Sequence, residues 1–135
     1  MIRAGWGFPV AAGIAVIAGI LHALRVSWIT DDAWISFRYA ENLVRGHGLV
    51  FNAGERVEGY SNFLWTLWSA LGITLGVRSD VWANFWSIAG FAGTLALLCA
   101  YAMRAGGRST AFPLAALLLA CHRDAAIFAT SGLET

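Results

Sequence analysis

Charge is scarce in this chain. Only 13% of its 135 residues are charged and 59% are hydrophobic, against about a quarter charged in an average soluble domain. That balance sets aside the globular priors and points to a membrane protein. The net charge is +1 and no basic run exists, so nothing here recommends a nucleic-acid partner. Cysteine is equally sparse. Cys99 and Cys121 each sit inside apolar sequence, where a thiol behaves as a small hydrophobe, and they match neither a metal spacing nor a disulfide framework. The "GGRS" of Gly106 to Ser109 lacks the Walker pattern and reads as a cytoplasmic turn, not a phosphate loop. No internal repeat, low-complexity segment or Pro- or Ser-rich linker divides the chain.

What the chain does have is apolar length. Four stretches are candidates for membrane spans: 8–28, 60–77, 81–103 and 111–129. A helix needs about 20 residues to cross a hydrocarbon core of about 30 Å. The first and third clear that length, and the fourth does so only by carrying "CHRD" near its end. The first can be read as a cleaved signal peptide behind "MIR". Its apolar region is longer than such peptides use, and no small-x-small site follows, which favours an uncleaved signal-anchor.

Charge decides the stretch 60–77. If all four stretches cross from a cytoplasmic N-terminus, Arg104 and Arg108 fall outside, against the positive-inside tendency of short loops. If 60–77 does not cross, Arg3, Arg104 and Arg108 all lie inside. The outer segment, about 29–80, then holds four arginines against six acids. The stretch also carries Trp65 and Trp68 among Ser61, Asn62, Thr66, Ser69 and Thr74, a composition suited to the interface. The expectation is an all-α multi-pass protein with about three transmembrane helices (8–28, 81–103, 111–129), N-terminus cytoplasmic and C-terminus outside. Four crossings are the alternative.

Within the outer segment, no Gly or Pro interrupts Asp31 to Arg45, and Gly46 is placed as a left-handed C-terminal cap. Trp34, Ile35, Phe37, Tyr39, Leu43 and Val44 give this helix a broad apolar face. Arg38, Glu41, Asn42 and Arg45 are interspersed, which suits a short helix on a membrane surface. After it, "LVFNAGERVEGYSN" reads as extended chain with turns at Asn52–Gly54 and near Gly59.

Two acids, Asp31 and Asp32, follow the first span at once. In one reading Thr30, Asp31 and Asp32 only cap and start the helix, a cap being worth about 1 kcal/mol. In the other, a carboxylate beside a carboxylate near a low-dielectric surface has raised proton affinity and serves as a general base. The two are compatible, since a helix N-terminus can hold a base in place.

The runs "DDAWISFRYAENLVRGHGLVFN", "GERVEGYSNFLW" and "RDAAIFATSGLET" occur in the order expected of one family. Together they resemble the N-terminal part of the GT-C class of polytopic membrane glycosyltransferases, most like the bacterial terminal arabinofuranosyltransferase-like group. The resemblance covers nearly half of the chain. It implies transfer of a sugar, arabinofuranose among the choices, from a polyprenyl-phosphate donor to a cell-envelope glycan acceptor. It implies a multi-pass cell-membrane protein, in a bacterial inner membrane, with its site facing outside. Asp31 and Asp32 match the acid pair that carries the class's essential carboxylate. Glu58, Tyr60 and Asn62 match an "EGYxN" element before a juxtamembrane helix that does not cross. Arg123 and Asp124, with Ser131, Gly132 and Glu134, match a second outer element.

Displacement at an anomeric carbon needs cations for the departing phosphate, and guanidinium suits it. Arg38 and Arg123 are the candidates. The more ordinary reading of Arg38 is a solvated or snorkelling side chain, and Arg123 reads equally well as an ion pair with Asp124. Some members of the class bind a divalent metal at the acid pair, but two carboxylates without a nearby His or third acid make a thin site. His22 and Arg25 are expected to reach toward outer headgroups, His47 to lie on a surface turn, and His122 at the polar end of the third span. Trp82 and Trp86 are expected to anchor the second span at the outer interface. Because the class has many more spans, the chain reads as the N-terminal piece of one GT-C domain, incomplete as an enzyme. A non-catalytic membrane subunit, a decayed remnant, or, more weakly, a transporter fragment are the rival readings.

Overall fold

The computed structural model describes residues 7–105 and 112–133. Arg3, the whole "GGRS" turn with Arg108 and Ser109, and Glu134 lie outside these residues. Six helices are described: α1 (Gly7–Arg25), α2 (Asp31–Val44), α3 (Phe63–Thr74), α4 (Ser79–Ala105), α5 (Leu114–Cys121) and α6 (Arg123–Phe128). The protein is an all-α membrane protein, and among the described residues α1 and α4 are long and apolar enough to cross a bilayer. The chain divides into two compact units, one of Met1–Ser27 with Ile88–Ala129, the other of Trp28–Ser87 with Thr130–Thr135.

The first unit is held by small residues. Ala15, Gly19 and Ala23 are the buried positions of α1, and a spacing of four puts them on one face, where small side chains let backbones approach. A Cβ at Gly19 would lie 2.5 Å from Leu95 Cδ1 and 3.3 Å from Ala120 Cβ. Leu95, Cys99, Ala116 and Ala120 complete the core around Ala15.

The stretch expected as a third continuous span is instead two short helices that meet at His122. That residue is extended, at φ −74° and ψ 114°, so it ends α5 and starts α6. Its Nδ1 accepts from the Ala125 amide at 3.3 Å, as an N-cap should. The break exposes carbonyls at the end of α5, and one of them, Ala120 O, accepts from His22 Nδ1 at 2.9 Å. His22 therefore turns inward to a helix end. It does not reach for headgroups, and the physical reason is the orphan carbonyl.

In the second unit, α2 ends as its composition dictates. Gly46 takes φ 83°, its amide bonds Leu43 O, and the His47 amide bonds Asn42 O at 2.9 Å. This is the paired closure of a Schellman ending. Helix α3 closes in the same way at Gly76, φ 78°, through Gly76 N to Ile73 O and Val77 N to Gly72 O. With 12 residues, α3 is about 18 Å long, well short of a crossing. Its buried face is small and polar (Thr66, Ser69, Ala70, Gly72), while Leu64, Leu71 and Leu75 point outward. Trp68, Trp82 and Trp86 contact one another, with centroids 5.1–5.7 Å apart.

No turn forms at Gly59. Residues 55–60 carry no helix or turn, and the chain bends at Ser61. Gly59 answers to a steric need instead, because a Cβ there would come within 2.8 Å of the Tyr39 hydroxyl.

Candidate active site

The head of α2 brings together chain segments that are far apart in sequence. Thr30 occupies the N-cap position with extended backbone, and its side chain makes no cap hydrogen bond. Its amide donates to Ser131 O at 2.9 Å, while its carbonyl accepts from Ala33 N. Gly132 follows in a left-handed conformation, φ 84°, and a Cβ there would stand 3.0 Å from Ala33 Cβ and 3.2 Å from Ile29 Cγ2. The Gly132 carbonyl accepts from Trp65 Nε1 at 2.9 Å, and Leu133 O accepts from Ser87 Oγ. Ala33, Phe37 and Ala83 form the buried core beneath, with Ile29, Trp65 and Leu133 packed against it. The "SGL" segment is thus a strap across the start of α2.

Asp31 and Asp32 lie in the first turn of α2, both exposed. Carboxylates there meet the positive end of the helix dipole, worth about 0.3–1 kcal/mol each at an exposed site. Consecutive helix positions diverge by about 100°, so the two acids do not share a face. Asp31 shares its stripe with Trp34, Arg38 and Arg45, whereas Asp32 stands one turn before Ser36. Ser36 is buried and donates to Asn62 Oδ1 at 2.9 Å; the same oxygen accepts from Thr66 Oγ1 at 3.3 Å. The Asn62 of "EGYSN" is thereby held one helical turn from Asp32. Its observed bonds are those of a fastener between α2 and α3.

Beside this head runs a groove of about 530 Å³, lined among others by Trp34, Arg38, Glu41, Arg78 and Asp80. Arg38 donates through Nε to Phe51 O at 3.3 Å and pairs with Glu41 at 3.2 Å. Glu41 also takes Arg45 at 2.7 Å. Arg38 has five N–H donors, so these two bonds leave others for a ligand. Tyr60 meets Tyr39 edge-on with centroids 4.9 Å apart, and Glu58 is exposed on a separate cleft. Arg123 and Asp124 open α6 in the first unit, both exposed. Among the described residues, no ion pair joins them, and no group of three or more His, Cys, Asp or Glu stands ready for a metal.

Three contributors escaped sequence reasoning. Trp65 was read only as an interfacial residue, yet a buried indole N–H seeks a partner, and that partner is on the strap. Tyr39 donates to Val57 O at 2.8 Å. Asn42, 2% exposed, donates to both Val50 O and Phe51 O at 2.8 Å. A polar amide among apolar helix positions was the available signal for it.

Comparison with known proteins bears on these segments directly. The whole chain aligns, at 34% identity over 145 residues, with the terminal beta-(1->2)-arabinofuranosyltransferase of Mycobacterium tuberculosis. A stretch of 38 residues is 55% identical to the protein of the same name from Corynebacterium glutamicum, 28% of this chain and 6% of that protein. The chain spans 22% of the length of the mycobacterial relative. No family model and no solved structure matches. The resemblance to arabinofuranosyltransferase-like membrane glycosyltransferases thus holds along the entire chain.

Proposed function

We propose that this chain carries the general base of a membrane glycosyltransferase, at Asp31 or Asp32. The reaction moves a sugar, arabinofuranose by analogy with the relatives' name, from a polyprenyl-phosphate donor to a glycan acceptor of the cell envelope. The carboxylate takes the proton of the acceptor hydroxyl as its oxygen bonds to the anomeric carbon. The bond from that carbon to the phosphate oxygen breaks, and polyprenyl phosphate departs with the electron pair. Arg38 is the cation for the departing phosphate. It stands seven residues after Asp31 on one stripe, about 10 Å along the helix. A base and a leaving-group cation need to stand on opposite sides of the reacting carbon, and that spacing allows it.

The observation that carries this reading is the strap. Ser131, Gly132 and Leu133 dock on the head of α2 beside Asp31 and Asp32, and "EGYSN" is fastened one turn along. Segments about a hundred residues apart in sequence need not meet at this point if the acids only start a helix. For topology we propose the arrangement with the N-terminus cytoplasmic and the second unit outside. The third stretch counts as one interrupted passage, and α3 lies along the interface.

Asparagine at the positions matching Asp31 and Asp32 in the mycobacterial relative tests the base. One of the two variants should insert normally and lose sugar transfer by a factor of about 10² or more. If both insert and transfer at the parental rate, the acids only start the helix, and the non-catalytic reading takes over.

A further inference from the structure

Between α2 and α3 lies a long irregular segment that is nonetheless fixed at two places. Asn42 ties down the carbonyls of Val50 and Phe51. Tyr39 ties down the carbonyl of Val57 and closes against Gly59. Both fasteners come from the buried side of α2. Between the two anchored stretches is a cleft of about 380 Å³, lined by His47, Gly48, Val50, Arg56, Glu58 and Tyr60 among others.

We propose that this cleft is a carbohydrate subsite that holds a neutral glycan, the acceptor chain of the reaction above. The word acceptor rests on the glycosyltransferase reading; affinity for a neutral glycan does not.

Three features of the cleft select that ligand. The first is a set of uncommitted polar groups around the irregular segment, apart from the exposed acids at the head of α2. Arg38, Glu41, Arg45, Arg78 and Asp80 are all ion-paired, and Glu55 accepts from Asn52. Among the described residues, His47, Arg56 and Glu58 make no side-chain hydrogen bond or ion pair, yet all three line this one cleft. The second is their spacing. Arg56, Glu58 and Tyr60 fall within five residues, so one short stretch brings a donor, an acceptor and a hydroxyl to the same cleft. The third is charge balance. A guanidinium that only donates and a carboxylate that only accepts suit vicinal hydroxyls, which do both. A phosphate or carboxylate ligand would meet Arg56 but be opposed by Glu58. The volume lies within the range of small-ligand pockets, and walls fixed in advance lose little entropy when a ligand seats.

The test is a titration of the full chain in lipid nanodiscs with a neutral arabinofuranosyl oligosaccharide, followed by saturation-transfer NMR. The oligosaccharide should bind, and Glu58→Gln and Arg56→Ala should each weaken it by about tenfold, the scale of one charge-assisted hydrogen bond. Glu55→Gln, on the same segment but outside the cleft, should leave affinity unchanged. Both variant residues are exposed and unpaired, so the near-ultraviolet signal of the tryptophans should not move. No binding by the parent chain, unchanged affinity in both cleft variants, or tighter binding of inorganic phosphate than of the glycan would overturn the subsite. The titration involves no sugar transfer, so its failure leaves the general-base reading standing.

Discussion

The indole of Trp65 donates to the carbonyl of Gly132 across 67 residues of sequence. One end of that bond is in the helix expected to lie on the membrane surface. The other is in the strap that docks on Thr30 and Ala33, the residues flanking the acid pair. The bond makes the geometry around Asp31 and Asp32 depend on a tryptophan whose composition suggested only an interfacial anchor.

Gly132 is the least replaceable residue of the strap. Alanine there takes on a left-handed backbone at a cost of about 1–2 kcal/mol, and its Cβ would press on Ala33 and Ile29. Gly132→Ala should lower thermal stability and alter the near-ultraviolet circular dichroism of Trp65. In a full-length relative it should also reduce transfer, although it bears no reactive group. Unchanged stability with unchanged activity would show that the strap is dispensable.

Asn42 should be essential to the irregular segment and to little else. Asn42→Asp is nearly isosteric but replaces the amide donor with an acceptor facing two carbonyls. Phe51 O keeps Arg38 Nε, but leaving the Val50 carbonyl unpaired costs about 1–3 kcal/mol. Amide hydrogen exchange over residues 48–58 should therefore rise at least tenfold, while α1 and α4 keep their protection. Equal exchange in variant and parent would mean that other contacts hold the segment.

Orientation can be read by labelling. Val57 is exposed at 63% and lies in the segment proposed to face outside. Val57→Cys, in a chain with Cys99 and Cys121 replaced, should react with an impermeant maleimide applied to whole cells. Labelling only after the membrane is opened would invert the topology. Ser36 would be a poor reporter, since it is buried and bonded to Asn62.

The elements with local causes were legible in sequence. The absence of breakers from Asp31 to Arg45, followed by Gly46, gave α2 and its ending. Seeded polar residues and two tryptophans set 60–77 apart from the longer apolar stretches, and its helix, α3, runs only 12 residues. The elements with distant causes were not legible. The polar "CHRD" marked where the apolar run thins, but not the break, whose exposed carbonyl is taken by His22, 98 residues away. Gly59 looked like a turn because glycine usually marks one, whereas Tyr39 needs the room. For the site, the acids were visible as a pair. Their divergence around the helix and the strap beside them required the fold.

The strap also sets an order of assembly. The head of α2 is among the first parts of the outer segment to leave the ribosome, yet its Thr30 amide waits for Ser131 and its Ala33 methyl for Gly132. Contacts of such long sequence separation form late. A ribosome stalled anywhere before residue 131 would therefore display Asp31 and Asp32 on an unfinished helix start, whose Thr30 amide still lacks its partner.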